Sequence, residues 1–223
     1  MNRIAAAAIA AISGLHFFVW GGPALGQPST YGDAMRWYER EAGKGSPKAQ
    51  FLLGLLYERG AGPRGKDPAK AFEWFLKAAE QGHAQAQYKV GVAYQFADGA
   101  MSDPEKALMW YRRAAGQGVP EAQFNLAYML ENAVGAERSL DEAARWYGEA
   151  AKAGLGRAQL NLGNLYLRGL GVGEDHAAAW AWFRAAESRG VEAAGTARRQ
   201  LEEALSPDEL EKARALAEPL IAK

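Results

Sequence analysis

Cysteine is absent from the 223 residues of this chain. Its absence excludes disulfide bridges, a thiol nucleophile and thiolate metal ligands together. It also excludes a lipid anchor attached to a cysteine. Any catalytic or metal site would have to be built from other side chains, and no cofactor is expected.

An excess of charge of either sign is also missing. The chain has 26 Lys and Arg against 26 Asp and Glu, which gives a formal net charge of zero. A neutral chain has no basic field over its surface, so a nucleic-acid partner is not expected. No run of like charges is long enough to form a charged tail.

Residues 1–26 have the pattern of a secretory signal peptide. Arg3 supplies a short positive start, an apolar run follows through Trp20, and small residues precede an expected cleavage after Gly26. The alternative is an uncleaved anchor, although the run is shorter than the roughly 20 residues of a spanning helix. With cleavage, the mature protein has no membrane span and is expected to be periplasmic or secreted.

One pattern of 36 or 37 residues repeats through the middle of the chain. Four copies follow one another, at 46–82, 83–118, 119–154 and 155–190. A half-repeat at 27–45 precedes them, and a pair of capping helices at 191–223 follows. Self-similarity with a fixed period of this length is typical of stacked-repeat proteins, in which each copy is one supersecondary unit.

The second half of each copy has the signals of an amphipathic helix. A residue that can cap a helix N-terminus recurs every 36 residues, at Asp67, Asp103, Ser139 and Asp175. Proline follows two of these caps, and Ser139 is expected to form a capping box with Glu142. A glycine ends each helix, at Gly82, Gly118, Gly154 and Gly190.

The first half of each copy is also expected to be helical. It starts with an Ala-Gln pair, and a small residue stands five positions after the alanine, at Gly54, Gly91, Ala127 and Gly163. Glycine in mid-helix costs about 1 kcal/mol relative to alanine, so its recurrence indicates a need for close packing. Each copy is therefore a predicted helix–loop–helix hairpin.

The fold predicted from these hairpins is all-α. About eleven helices and no strand are expected, stacked as an α-solenoid with a right-handed superhelix and a concave face. The last helix is expected to begin with a capping box between Ser206 and Glu209 and to run to about Ile221. In the helix before it, Arg199 and Glu202 replace packing residues, as expected of a terminal cap.

The unit reads A-Q-[YF]-x-[LV]-G-x-x-Y, a loop, then D-x-x-K-A-x-x-W-[YF]-x-x-A-A-x-x-G. It resembles the Sel-one-like repeat (SLR), a 36-residue relative of the tetratricopeptide repeat (TPR), over roughly residues 27–205. The resemblance implies an α-solenoid that binds other proteins or peptides, often in envelope signalling, secretion or adhesion. Some members with a cysteine pair in each repeat were linked to penicillin binding or β-lactam hydrolysis. That activity is not carried over to a chain without cysteine.

Chemically reactive side chains are few. His83 and His176 lie 93 residues apart, which supports neither a metal site nor an acid–base pair. The serines lie near helix starts and are better explained as caps than as nucleophiles. The glycine-rich loop 60–66 lacks the preceding strand and the Ser or Thr after its lysine that a phosphate loop needs. The tryptophans that recur with the repeat are expected in the core, namely Trp37, Trp74, Trp110, Trp146 and Trp182.

Some positions of the first helices vary between copies and are not required by packing. They lie three and six residues after the starting alanine, and by analogy with tetratricopeptide grooves they would line the concave face. The candidate partner-binding residues are Leu52, Leu55, Lys89, Val92, Asn125, Tyr128, Asn161 and Asn164. Asparagine amides can bond an extended peptide backbone as donor and acceptor. The alternative is that these residues are solvated surface.

The sequence therefore predicts a non-catalytic scaffold or regulator of the bacterial envelope. It is expected to be monomeric or weakly associating and to bind a partner protein or peptide. An alternative is a hydrolase of cell-wall material or β-lactams, which needs a convergent nucleophile and base and would turn over a chromogenic β-lactam. A third is a purely structural spacer, which would present no cluster of exposed apolar or asparagine side chains.

Overall fold

The computed structural model describes residues 31–60 and 65–221, and within these ranges it contains eleven α-helices and no strand. In chain order the helices are α1 (Tyr31–Gly43), α2 (Pro47–Arg59), α3 (Pro68–Glu80), α4 (Ala84–Phe96), α5 (Pro104–Gly116), α6 (Pro120–Glu131), α7 (Leu140–Lys152), α8 (Gly156–Arg168), α9 (His176–Ser188), α10 (Glu192–Glu202) and α11 (Pro207–Ile221). The all-α prediction is confirmed. None of these eleven helices combines the length and the apolar character that a membrane crossing needs. The expected signal peptide, residues 27–30 of the half-repeat and loop residues 61–64 lie outside the described ranges.

Side-chain caps begin α3, α5 and α9, as predicted. The carboxylates of Asp67, Asp103 and Asp175 accept hydrogen bonds from the backbone N–H groups three residues on, at 3.0, 3.0 and 2.9 Å. These backbone bonds are the largest cause of the lowered pKa of Asp67 and Asp175. For Asp103 the largest cause of the lowered pKa is the Lys106 side chain, followed by the backbone bond.

The start of α7 differs from the starts of its equivalents. Ser139 precedes the helix, but its side chain makes no capping bond, so the predicted capping box with Glu142 is wrong. The Glu142 carboxylate instead accepts hydrogen bonds from Trp146 Nε1 at 3.3 Å and from Arg112 at 3.2 Å. Glu142 is thus tied to side chains of α5 and α7 and does not turn back to the N-terminus of its helix.

Four glycines follow the second helices with their backbone in the left-handed region. The φ angles are +87°, +81°, +89° and +82° for Gly82, Gly118, Gly154 and Gly190, respectively. Glycine has no Cβ and adopts this region without a steric cost, so it allows the chain to turn out of the helix. The predicted helix stops are confirmed.

The described chain divides into two compact units. The first contains α1, α2, α3 and α4 up to Ala93, together with residues 97–101. The second contains the last turn of α4 and the chain from Ser102 onward.

In the first unit, α2 packs against α1 and α3. The contact with α3 depends on Gly54, because a Cβ placed there would lie 2.6 Å from two ring carbons of Phe75. Phe75 is 3% exposed and forms part of the core of this unit. The expected close packing at a mid-helix glycine is confirmed at this position.

In the second unit, each helix from α5 to α9 packs against the next one along the chain, and α11 also packs against α9. Gly163 repeats the contact seen at Gly54, since its Cβ would lie 2.6 Å from the ring of Phe183. α11 starts with the predicted capping box, in which the Glu209 carboxylate accepts the Ser206 backbone N–H at 2.9 Å. Its buried alanines complete the core at the C-terminal end of the unit.

Candidate functional site

The predicted partner-binding positions lie on first helices in both units. In the first unit, Leu52 and Leu55 belong to α2, Lys89 and Val92 belong to α4, and all four are half-buried. The Lys89 ammonium contacts both carboxylate oxygens of Glu58, at 2.7 and 2.9 Å. Lys89 thus forms an ion pair that joins α4 to α2 and is not a free charge.

In the second unit, the predicted positions form a more open surface. Asn125 and Asn161 are half-buried, whereas Tyr128 is 45% exposed and Asn164 is exposed. The two residues on each helix are three positions apart and therefore share a face. An exposed polar residue follows each pair four positions further on, at Asn132 directly after α6 and at Arg168 in the last turn of α8.

A buried tyrosine connects this surface to the core. Tyr147 of α7 donates its hydroxyl hydrogen to Glu131 of α6 at 2.8 Å, and Asn161 of α8 lies beside the same hydroxyl. Burial raises the pKa of Tyr147, and the neighbouring Glu131 carboxylate raises it further, so the hydroxyl remains protonated. Asn161 of the predicted surface therefore lies next to the buried link between α6 and α7.

Four buried glutamines form a structural series whose role was missed in the sequence. Each glutamine amide donates a hydrogen bond to the carbonyl of an alanine eight residues earlier, near the end of the preceding helix, at 3.1 to 3.2 Å. The donors are Gln50, Gln87, Gln123 and Gln159. The recurring Ala-Gln pair was the sequence signal for this role. A polar residue that occupies the same position in every copy indicates a buried hydrogen-bond partner.

The recurring tryptophans are not the main aromatic residues of the core. Trp110 is buried, but Trp37, Trp74, Trp146 and Trp182 are half-buried, so the prediction that all five lie in the core is wrong. The ring that follows the tryptophan is buried in each of four copies, at Phe75, Tyr111, Tyr147 and Phe183. Side chains of neighbouring residues on a helix point about 100° apart. The second ring therefore packs in the core, and the tryptophan lies at the edge of the core.

Two of these half-buried tryptophans line a cleft in the second unit. The cleft has a volume of about 490 Å³, and Trp146, Trp182 and Tyr166 are among its lining residues. Gly148 of α7 also lines it, and a Cβ added at Gly148 would meet no atom within 4 Å. The volume is that of a small-ligand or side-chain site, and none of the predicted binding residues lies in it.

The two histidines of the described chain serve separate local contacts. His83 caps α4, since its Nδ1 accepts the Ala86 backbone N–H at 3.3 Å, and its ring stacks on Phe51 at 4.6 Å between centroids. Burial is the largest cause of the lowered pKa of His83. His176 Nε2 lies 3.2 Å from the Glu174 carboxylate. Among the described residues, no three His, Asp or Glu side chains are grouped so as to hold a metal ion.

Comparison with known proteins agrees with the repeat structure. The model of the Sel1 repeat matches residues 47–83, 84–119, 120–155 and 156–191. No curated protein matches the chain. Among solved structures, the chain is similar to a Sel1 repeat protein from Oxalobacter formigenes, with 34% identity and a TM-score of 0.69, over 74% of this chain and 67% of the other.

The chain is also similar to a protective antigen present in uropathogenic Escherichia coli strains, which displays an SLR fold. The identity is 37% and the TM-score 0.78, over 90% of this chain and 43% of the antigen. This chain therefore spans less than half the length of that relative. An immunity protein from Pseudomonas aeruginosa, 20% identical with a TM-score of 0.50 over 100% of this chain and 84% of that one, shares the fold alone.

Sel1 repeat proteins generally mediate protein–protein interactions, and their scaffold is typically a non-enzymatic interaction fold. The four matched repeats cover more than half of the residues, and two solved structures are more than 30% identical. The predicted resemblance and the predicted α-solenoid of helical repeats are both confirmed. This chain belongs to the Sel1 repeat family.

Proposed function

We propose that this protein is a non-catalytic scaffold or regulator of the bacterial envelope that binds a partner protein or peptide on the exposed face of its first helices. The observation that carries the proposal is the surface of α6 and α8, which presents Tyr128 and Asn164 to solvent beside the half-buried Asn125 and Asn161. Family membership supports an interaction role in general.

The chemistry of this surface suits an extended peptide. An asparagine amide can donate to a peptide carbonyl and accept from a peptide N–H at the same time, which few other side chains can do. Tyr128 adds a large ring with a polar tip, a side chain that is enriched in protein interfaces. Such a surface binds a backbone with little demand on its side chains.

The signal-like pattern of residues 1–26 supports a periplasmic or secreted location. N-terminal sequencing of the protein recovered from a cell fraction tests this part of the proposal. The expected result is a mature chain that begins with Gln27 in the periplasm or the medium. A full-length chain found only in the cytoplasm would contradict it.

The binding surface is tested by a double variant, Tyr128→Ala with Asn164→Ala. Both side chains are exposed, so the change removes contacts on the surface without opening the core. Proteins that co-purify with the wild type from the native envelope are identified by mass spectrometry, and the amount of each is compared between variants. The expected result is at least about a tenfold loss of the partner, because large exposed rings and amides at an interface each contribute 1 kcal/mol or more when they are central.

The matched control is Met109→Ala, which removes a side chain 39% exposed on the second helix α5. It should retain the partner. Equal recovery of every partner by the double variant and by the control would mean that the first helices do not form the binding surface.

A further inference from the structure

Two tryptophans of the second helices are covered by a cation from their own helix. The Lys77 ammonium lies 4.1 Å from the centre of the Trp74 ring, and the Arg113 guanidinium lies 4.6 Å from that of Trp110. In both pairs the cation follows the tryptophan by three residues, which places it on the same face of the helix. At these distances a cation is attracted to the negative face of the ring.

The next two copies lack this cation. Glu149 stands three residues after Trp146, and Ala185 stands three residues after Trp182. Among the contacts of the described residues, no Lys or Arg lies over either ring. Both rings instead line the cleft of about 490 Å³ in the second unit.

The absence of a side chain at Gly148 enlarges this cleft. The equivalent positions of the neighbouring copies are occupied by Arg112 and Arg184. Glycine inside a helix costs about 1 kcal/mol relative to alanine, and elsewhere in the chain such glycines make room for a ring. No atom lies within 4 Å of a Cβ at Gly148, so here the glycine leaves open space.

The side chains that line the cleft include one more carboxylate than cations. Three carboxylates line it, against two cationic side chains, Arg145 and Lys152. Lys152 already contacts Glu149 at 2.8 Å. The Glu142 carboxylate lies 3.2 Å from Arg112 and accepts the Trp146 indole N–H at 3.3 Å. The third carboxylate, Asp141, is exposed and has no ion-pair partner among the described residues. A cation entering the cleft would therefore meet two rings that no Lys or Arg of the described residues covers, and the unpaired carboxylate of Asp141.

We propose that this cleft, lined by Trp146, Trp182, Tyr166, Glu149 and Asp141, binds an arginine or lysine side chain of an extended segment of a protein partner. The incoming cation takes the place that Lys77 and Arg113 occupy in the earlier copies. The apolar lining contacts the methylene stem of the side chain and its apolar neighbours. The inference rests on the proposed function as an interaction protein, but the cleft is lined mainly by second helices and contains none of the proposed first-helix binding residues.

The test is a titration of the purified protein with the peptide acetyl-Leu-Arg-Leu-amide, followed by NMR of the tryptophan indole N–H groups. The control peptide carries citrulline, which has nearly the shape of arginine but no charge. The arginine peptide is expected to shift the indole signals of Trp146 and Trp182, and the citrulline peptide is expected to bind about tenfold more weakly. Equal shifts with both peptides, or no shift with either, would overturn the proposal. A stronger response to phosphocholine than to the arginine peptide would also overturn it, in favour of a lipid headgroup.

Two variants test the site in a different way. Glu149→Arg supplies from the same helix the cation that Arg113 provides at Trp110, and Gly148→Arg fills the cleft with the residue of the neighbouring copies. Each is expected to abolish the peptide-induced shifts of the indole signals while the thermal unfolding midpoint stays close to that of the wild type. Wild-type affinity in a folded Glu149→Arg protein would contradict the proposal.

The double variant of Tyr128 and Asn164 separates this inference from the proposed function. Neither residue lines the cleft, so the variant should respond to the arginine peptide as the wild type does. If it also keeps its natural partner, the proposed first-helix surface fails while the cleft stands. If the arginine peptide produces no shifts but the natural partner is lost, the cleft fails while the first-helix surface stands.

Discussion

A tryptophan recurs in the second helices of this chain, and its ring is covered by a cation in two copies but not in two others. On α3 and α5 the ring is covered by a lysine or an arginine of the same helix, at 4.1 and 4.6 Å. On α7 and α9 the equivalent residues are Glu149 and Ala185, and the rings of Trp146 and Trp182 border a cleft. The repeat therefore keeps the tryptophan and changes the residue that covers it. This change, together with Gly148, distinguishes the candidate site from the covered rings.

The first helices show a similar difference between the two units. In the first unit, Lys89 pairs directly with Glu58, and the core ring beneath them is a phenylalanine without a polar atom. In the second unit, the equivalent positions hold Asn161 and Glu131. Glu131 accepts the hydroxyl hydrogen of Tyr147, and Asn161 lies beside that hydroxyl. The same connection between consecutive first helices is thus made by an ion pair in one unit and through a buried tyrosine in the other.

The largest effect in this comparison is expected from the helical glycines. Gly54→Ala and Gly163→Ala each place a Cβ 2.6 Å from an aromatic ring, and such overpacking should lower the free energy of unfolding by about 1–3 kcal/mol. Gly148→Ala meets no neighbour and should raise it by up to about 1 kcal/mol through helix propensity. Urea unfolding of the three variants measures the difference. A clear loss of stability in Gly148→Ala would mean that the wall of the cleft is packed.

The second-largest effect on the free energy of unfolding is expected from the buried tyrosines. Tyr147→Phe removes a hydrogen bond to a carboxylate and should lower the free energy of unfolding by about 2 kcal/mol. Tyr111→Phe removes a 2.6 Å bond to the neutral amide of Gln95 and should cost about 1 kcal/mol. Thermal and urea unfolding give both values. Equal losses would show that the charge of Glu131 adds nothing to the connection.

A smaller effect is expected from the cations that cover the tryptophans. Lys77→Ala removes the ammonium over Trp74 and should lower the free energy of unfolding by about 0.5 kcal/mol, as expected at an exposed site. Glu149→Ala at the equivalent position removes no contact with a ring and should change it by less than that. Urea unfolding curves of the two variants, measured side by side, give both changes. A larger loss of stability in Glu149→Ala than in Lys77→Ala would contradict the proposed difference between the covered and uncovered tryptophans.

The smallest effect on the free energy of unfolding is expected from the cap of α4 and depends on pH. Ser46 and His83 cap the first helices α2 and α4, whereas Val119 and Leu155 at α6 and α8 make no side-chain cap. Burial lowers the pKa of His83, so folding favours its neutral form. The stabilisation that it contributes is present above the pKa of an unfolded histidine, about 6.5, and is lost as the pH falls.

Unfolding at a series of pH values between about 8 and 5 tests this sign. The wild type should lose stability on acidification, and His83→Asn should lose less, because asparagine can cap the helix without titrating. An identical pH dependence in the two proteins would rule out a contribution from the His83 cap.

Much of the fold was predictable because its signals are local. The aspartate caps, the glycine stops and the capping box at Ser206 each depend on residues within one turn of a helix, and each lies in the structure as predicted. The failure at Ser139 has a physical reason of the same kind. Its partner Glu142 is bonded by Trp146 and by Arg112 of another helix, and a contact between helices outweighed the local one.

By itself, the sequence determined the period, the helices and the all-α solenoid, because a repeated pattern of caps, stops and packing residues has one common solution. The tertiary structure alone decided which of two adjacent aromatic residues fills the core, and that Asn161 lies beside Tyr147 while Tyr128 is exposed. It also decided that the space beside Gly148 is open, because the sequence alone does not show whether a helical glycine contacts a neighbouring side chain. These properties depend on side chains from neighbouring helices, whose approach is set by packing between elements and not by the residues next to them in the chain.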